Sequence, residues 1–231
     1  MFKRGLSHLE FVISFIIFIA FLVSAFVFFN PLQSNRTLKS TMDYAWIEIS
    51  KETKKEVDTY SILLDQRVTA PVVGISIEGI NVGYNASVKD SSGNVINSYT
   101  QNGVVYFDRP ADRFVRIEYS KGFRNGAVKS GGQISSGDFY VSSSENSEIY
   151  FQDLFENLKD EYYANYTQLK RRLNLPSRVE FGFKVVFNNG TEISALKEIP
   201  SSLEVLSRSD KVGVILSSGE KQSADLLVMV W

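Results

Sequence analysis

Residues Phe151–Phe187 read FQDLFENLKDEYYANYTQLKRRLNLPSRVEFGFKVVF, and the spacing of apolar residues changes partway through. Phe151, Leu154, Phe155, Leu158, Tyr162, Tyr166, Leu169 and Leu173 recur every three or four positions, which places them on one stripe of a helix over about 148–174. Asp153 and Glu156 near its start and Lys170-Arg171-Arg172 near its end suit the helix dipole, and Asn174-Leu175-Pro176 stops it. Beyond that stop, Val179, Phe181, Phe183, Val185 and Phe187 alternate as in a strand with one buried face, and Asn188-Asn189-Gly190 turns the chain back. A helix with one apolar stripe and an antiparallel sheet with one apolar face bury both surfaces by packing together. The expectation is therefore a two-layer α+β unit over 139–231, with further strands at 203–208, 212–217 and 225–231.

Upstream, Arg124–Asp138 carries four glycines and reads as a loop between units. Before it, residues 54–138 form a β-rich antiparallel middle unit, a sandwich or compact sheet. Val72–Glu78, Asn81–Lys89, Val95–Thr100, Val104–Asp108 and Phe114–Tyr119 are its clearest strands, with Ser91-Ser92-Gly93-Asn94 as a hairpin turn. Leu38, Met42, Ala45 and Ile49 keep helical spacing, so residues 30–53 read as a stalk containing an amphipathic helix over about 36–53. The charges of Lys51–Glu56 read as a solvated face. Asn30-Pro31 interrupts whatever helix precedes the stalk.

What precedes it is apolar from Phe11 to Phe29, broken only by Ser14 and Ser24. Nineteen helical residues rise about 28 Å, close to the hydrocarbon thickness of a bilayer, so 1–29 is expected to hold a transmembrane helix. Ahead of the run stand Lys3-Arg4-Gly5, then Leu6-Ser7-His8-Leu9-Glu10. A carboxylate at the edge of hydrocarbon costs a few kcal/mol unless something pairs with it, so Glu10 asks for a partner. The basic head places the N-terminus on the cytoplasmic side and residues 30–231 outside the cell.

This head resembles the class III signal of type IV prepilins, the archaeal form in particular. The resemblance covers residues 3–29. It implies a prepilin peptidase that cuts between Gly5 and Leu6 and leaves the apolar segment on the mature chain. It also implies that Glu10, fifth in the mature chain, pairs during assembly with the free amine of a neighbouring subunit. Pilin heads share the general arrangement of a helix on an antiparallel sheet. Two other readings of the same residues stand beside this one. A plain uncleaved anchor explains the run and the basic head but gives Glu10 no purpose. A secretory signal would be cut near Val23-Ser24-Ala25, yet the apolar run continues through Phe29.

The rest of the chain narrows the function classes. There is no cysteine, hence no disulfide or thiolate metal site. The one histidine, His8, lies in the signal region, which leaves no His-based metal site or catalytic triad for the outer part; no cofactor and no enzyme are expected. Beyond Phe29 there are 23 basic and 25 acidic residues, which gives no electrostatic footprint for nucleic acid. The carboxylates Asp153, Glu156, Asp160 and Glu161 fall on the polar face of the expected helix. Asp90–Asn94 superficially resembles a calcium loop, with its glycine too early and Gln101 where a bidentate Glu belongs. Asn35, Asn85, Asn165 and Asn189 each head an Asn-x-Ser/Thr sequon and are candidate glycosylation sites of a surface glycoprotein. The expected function is a pilin-like or minor-pilin surface protein with filament subunits as partners. The alternative is a monomeric, membrane-anchored binding or adhesion module.

Overall fold

The computed structural model describes residues 3–28, 32–78, 83–128, 131–135 and 137–231, with side chains described for 10–25 and, from 38 onward, within those ranges. Helix α1 (Lys3–Phe28) is followed by α2 (Leu32–Thr53), which runs directly into strand β1 (Lys54–Leu64). Next come β2 (Val72–Ser76), β3 (Asn85–Lys89), β4 (Val95–Ile96), β5 (Ser98–Gln101), β6 (Val104–Asp108), β7 (Phe114–Ser120), β8 (Gly132–Gln133) and β9 (Phe139–Phe151). Helices α3 (Gln152–Ala164) and α4 (Tyr166–Arg172) precede β10 (Phe181–Phe187), β11 (Glu192–Ala195), β12 (Leu206–Ile215) and β13 (Lys221–Val230). The fold is mixed α+β: four helices and a large, mostly antiparallel sheet of order β11-β10-β13-β12-β9-β1-β7-β3-β4, with a second sheet β5-β6-β2-β8.

Strand alternation divides the core in two. Ile62, Val88, Val115 and Ile117 of the large sheet meet Val73, Ile75, Val105 and Phe107 of the small one, all fully buried, as the two inner faces of a sandwich. At the other end of the large sheet, Phe181, Phe183 and Val185 of β10 and Leu226, Val228 and Val230 of β13 pack under helices. Phe155, Leu158 and Tyr162 come from α3, and Leu169 from α4. The same core also takes Met42, Ala45, Trp46 and Ile49 of α2. The amphipathic helix read as a stalk thus lays its apolar stripe on the C-terminal sheet, across some 150 residues of sequence. A smaller cluster of Val57, Phe123, Phe151 and Ile215 fills the seam between the two halves.

Several sequence expectations need correction. The helix expected over 148–174 begins only at Gln152, because β9 continues through Phe151, and it is two helices. Asn165 separates them at φ −151°, ψ 64°, and its Oδ1 accepts the Gln168 N–H at 3.3 Å, capping α4. The stripe survives the break: Phe155, Leu158, Tyr162, Leu169 and Leu173 are all buried. The strands expected at 203–208 and 212–217 are one strand, β12, and β11 went unread. Two long strands were also missed. The expected boundary at 138/139 does not follow the sheets, since β9 pairs with β1 from Lys54↔Tyr150 to Leu64↔Phe139. Residues 140–146 of β9 are all exposed, so backbone pairing holds this strand and its sequence has no apolar alternation to read. Among the described residues no helix is long and apolar enough to cross a membrane. The apolar run extends past the side chains described in α1, and of Gly5, Leu6, His8 and Asn35 the side chains lie outside them.

Candidate functional sites

Along α1 the described apolar side chains are bare. Phe11 is 72% exposed, Phe21 68% and Ile17 63%, whereas residues of the same types in the sandwich and under the helices are near zero. In water, this many exposed large apolar groups are strongly unfavourable. Glu10 is exposed as well, and no described residue of its own chain pairs with it.

The four sequons differ in what their amides do. Asn85 opens β3 with its Nδ2 donating to the Phe123 carbonyl at 2.9 Å, so a sugar there must first break a contact between β3 and the seam. Asn165 sits exposed at the α3–α4 break, its Nδ2 donating to Gln168 Oε1 at 2.7 Å. Asn189 is exposed in the β10–β11 turn, where Gly190 supplies φ +83°. Its Oδ1 accepts the Thr191 N–H at 3.0 Å and the Thr191 hydroxyl at 2.7 Å, an Asx turn that leaves Nδ2 pointing out of the pair. Of the described three, Asn189 alone has an Nδ2 that makes no hydrogen bond to another described residue.

The charged groups singled out in the sequence serve as ties. Asp153 accepts from Ser217 Oγ and pairs with Arg124 at 2.7 Å, pinning the start of α3 to the β12–β13 turn and the seam. Glu156 accepts from Gln152 Nε2 at 2.8 Å, and Glu161 pairs with Arg172. Arg172 also reaches Glu52, fastening α4 to the end of α2. Asp90 closes its hairpin by accepting the Asn94 side-chain Nδ2 at 3.0 Å and the Asn94 and Ser92 N–H groups at 2.8 and 3.0 Å, and these bonds, the Asn94 side chain first, hold its carboxyl below the usual range. Among the described residues no group of His, Asp and Glu side chains is placed to hold a metal ion.

Two polar clusters, one buried and one half-buried, have no clear sequence signal. Lys89 Nζ and Glu118 Oε2 meet at 2.8 Å, with side chains only 7% and 9% exposed. They lie 29 positions apart on adjacent strands, and only the β3–β7 register brings them together. The second cluster joins α4 to β10. Lys170 Nζ donates to the Ser177 carbonyl at 2.9 Å and Glu180 Oε1 at 3.0 Å, and Lys197 Nζ lies 3.2 Å from the centre of the Tyr166 ring. Tyr162 donates to the Phe181 carbonyl at 2.8 Å and accepts the Lys197 N–H at 3.2 Å. Burial pushes both tyrosine hydroxyls up. Burial alone would also raise the Glu180 carboxyl, but the Tyr166 hydroxyl and the Lys170 and Lys197 ammoniums outweigh it and hold Glu180 below its ordinary value. Glu180 Oε2 makes no hydrogen bond and stands 3.9 Å from Lys197, so that part of the attraction is coulombic.

No protein-family model, curated protein or solved structure matches this chain.

Proposed function

We propose that the chain is a pilin-like surface subunit held in the membrane by its N-terminal helix, cut between Gly5 and Leu6, and able to join a filament through that helix. The observation that carries this reading is the bare apolar surface of α1, which follows a Lys-Arg-Gly head and bears Glu10 at its edge. Lipid covers such a helix in the monomer. In a filament, the same helices of other copies cover it, and an ordinary soluble domain has no use for it. The placement of α2 supports the reading further. The second helix is built into the C-terminal core, so a force applied at the membrane helix reaches the sheet through a packed element.

Assembly brings Glu10 and the amine of Leu6 on another copy into a setting poor in water. The two charges then relieve each other's desolvation. Glu10→Gln keeps the shape and a hydrogen bond but leaves the ammonium without its counter-charge. Breaking one side of such a pair costs about 3–5 kcal/mol when dry, and even the lower figure is more than a hundredfold in association. The expected result is a variant that is cut, exported and membrane-held as wild type but absent from sheared filament fractions, while Leu9→Met behaves as wild type. Entry of Glu10→Gln into filaments at wild-type levels removes the pairing. A wild-type protein found only as detergent-solubilised monomers favours the anchored binding module instead.

A further inference from the structure

The three sequons with described side chains can be compared as nucleophiles. A carboxamide nitrogen attacks poorly, because its lone pair is delocalised into the carbonyl. It improves when donors hold the oxygen, where negative charge gathers as the nitrogen gives up a proton. The nitrogen must also be unbonded and open to the reagent. Asn85 meets none of these conditions: it is half-buried in β3, its Nδ2 is spent on the Phe123 carbonyl, and the Ser87 of its own sequon is buried with its hydroxyl making no hydrogen bond. Asn165 is exposed, but its Nδ2 is held by Gln168 Oε1 at 2.7 Å and its Oδ1 caps α4. Asn189 meets all of them. Its Oδ1 takes both the N–H and the hydroxyl of Thr191, the third residue of its own sequon, and its Nδ2 makes no hydrogen bond to a described residue. Residues 188–191 are all exposed. The turn also lies at a free end of the sheet. β10 and β12 run the same way, both antiparallel to β13. Asp43 of α2 reaches Arg208 of β12 at 3.8 Å, and seven residues later Ser50 bonds the Tyr150 hydroxyl beside Val214. Both strands therefore run in the sense of α2, and the turn that ends β10 faces away from the start of α2.

We propose that Asn189 is a glycosylation site of the folded chain, modified by a transferase that reads Asn-x-Ser/Thr and draws on a lipid-linked, diphosphate-activated oligosaccharide. In the transfer the bond from Nδ2 to the sugar C1 forms, and the C1–O bond to the diphosphate breaks with its electron pair leaving on the phosphate. One Nδ2 proton passes to a carboxylate of the transferase. The charge that gathers on Oδ1 meets two donors already in place. Gly190 is part of the device, since the turn needs its φ of +83°, which an L side chain adopts only with strain. Asn189 reacts without local unfolding, whereas Asn85 must leave Phe123 and Asn165 must leave Gln168 and uncap α4. The inference uses the membrane reading above only in placing the outer part outside the cell.

The test removes that dependence. Full-length protein, made in a host without such a transferase and purified in detergent, is incubated with a single-subunit oligosaccharyltransferase and a lipid-linked oligosaccharide. Glycopeptide masses then give the rate at each asparagine, and short synthetic peptides carrying the same sequons give the ratios that sequence alone sets. In the folded chain Asn189 should outpace Asn85 and Asn165 by about tenfold more than the peptide ratios do, because each of the others first gives up a hydrogen bond. Gly190→Ala keeps an Asn-x-Thr sequence but strains the turn, and should lower the Asn189 rate about tenfold with little change in melting. Folded-chain ratios no greater than those of the peptides, or an Asn189 rate that Gly190→Ala leaves unmoved, overturn the proposal. A chain modified at Asn189 in this system, yet never cut or assembled in cells, would refute the filament reading and leave this site standing.

Discussion

The Lys89–Glu118 pair shows how much depends on which partner is removed. Two charges taken out of water attract strongly, but much of that attraction only offsets the loss of their hydration. Glu118→Gln leaves an ammonium buried without its counter-charge, and a loss of about 3–5 kcal/mol in unfolding free energy is expected by denaturant titration. Lys89→Met with Glu118→Leu removes both charges and should return most of that loss; a double variant as weak as the single would mean that the pair is needed for more than mutual compensation. Glu180 gives a pH dependence. Its carboxyl is held below the ordinary value of 4.5, so as pH falls the unfolded chain takes up the proton first. The stability that it contributes is present above about pH 4.5 and is lost as pH falls through the folded-state value. Replacing it with Gln should lower Tm near neutral pH and flatten the acid limb of the Tm–pH curve, whereas an acid limb identical to wild type would show that Glu180 titrates as it does in the unfolded chain. Neither cluster was legible beforehand, because strand register and the return of β10 beside α4 set the partners, and neither leaves a local pattern.

At the scale of elements, legibility followed burial on one side. β6 buries Val105 and Phe107 between half-buried neighbours, β10 buries Phe181, Phe183, Val185 and Phe187, and both match the expected strands nearly at their bounds; the helix expected over 36–53 ends, as α2 does, at Thr53. β9 presents Tyr140–Asn146 to solvent on both faces, so its pairing with β1 left no mark in the sequence. The α3–α4 break was hidden because a single capping residue, Asn165, turns the axis without disturbing the stripe on either side. The role of α2 was likewise beyond local reading: its periodicity showed an apolar face but not that the face is covered by a sheet formed from residues 181–230. That packing has a measurable consequence. Phe155 is fully buried, with its ring 5.7 Å from Tyr150 and 6.1 Å from Phe183, and Ile49 of α2 belongs to the same core. Ile49→Ala should cost about 2–5 kcal/mol and Phe155→Asp should unfold the outer part at ordinary temperature. An Ile49→Ala protein with unchanged melting would place α2 outside the cooperative unit.

For the whole molecule, two halves that could each be mistaken for a domain share one sheet and are stitched at the seam. The tip of the β12–β13 hairpin lies against β3, where Gly219, at φ +84°, sits so close to Ser87 that an added Cβ would come within 2.8 Å of its hydroxyl. In such a body α2 is built into the core at one end, and the exposed apolar side chains of α1 precede it in the chain. The fate of the first residues, Lys3-Arg4-Gly5 and Glu10, separates a trimmed subunit from a plain anchor and from a secreted chain. The most direct measurement is the intact mass and N-terminal peptide of the protein recovered from the membranes of a host that has a prepilin peptidase. Cleavage after Gly5 predicts a mature chain that begins at Leu6 and retains the apolar run, and a Gly5→Val chain that keeps its head. A wild-type chain that begins at Met1, or one that begins at Phe26, would contradict it.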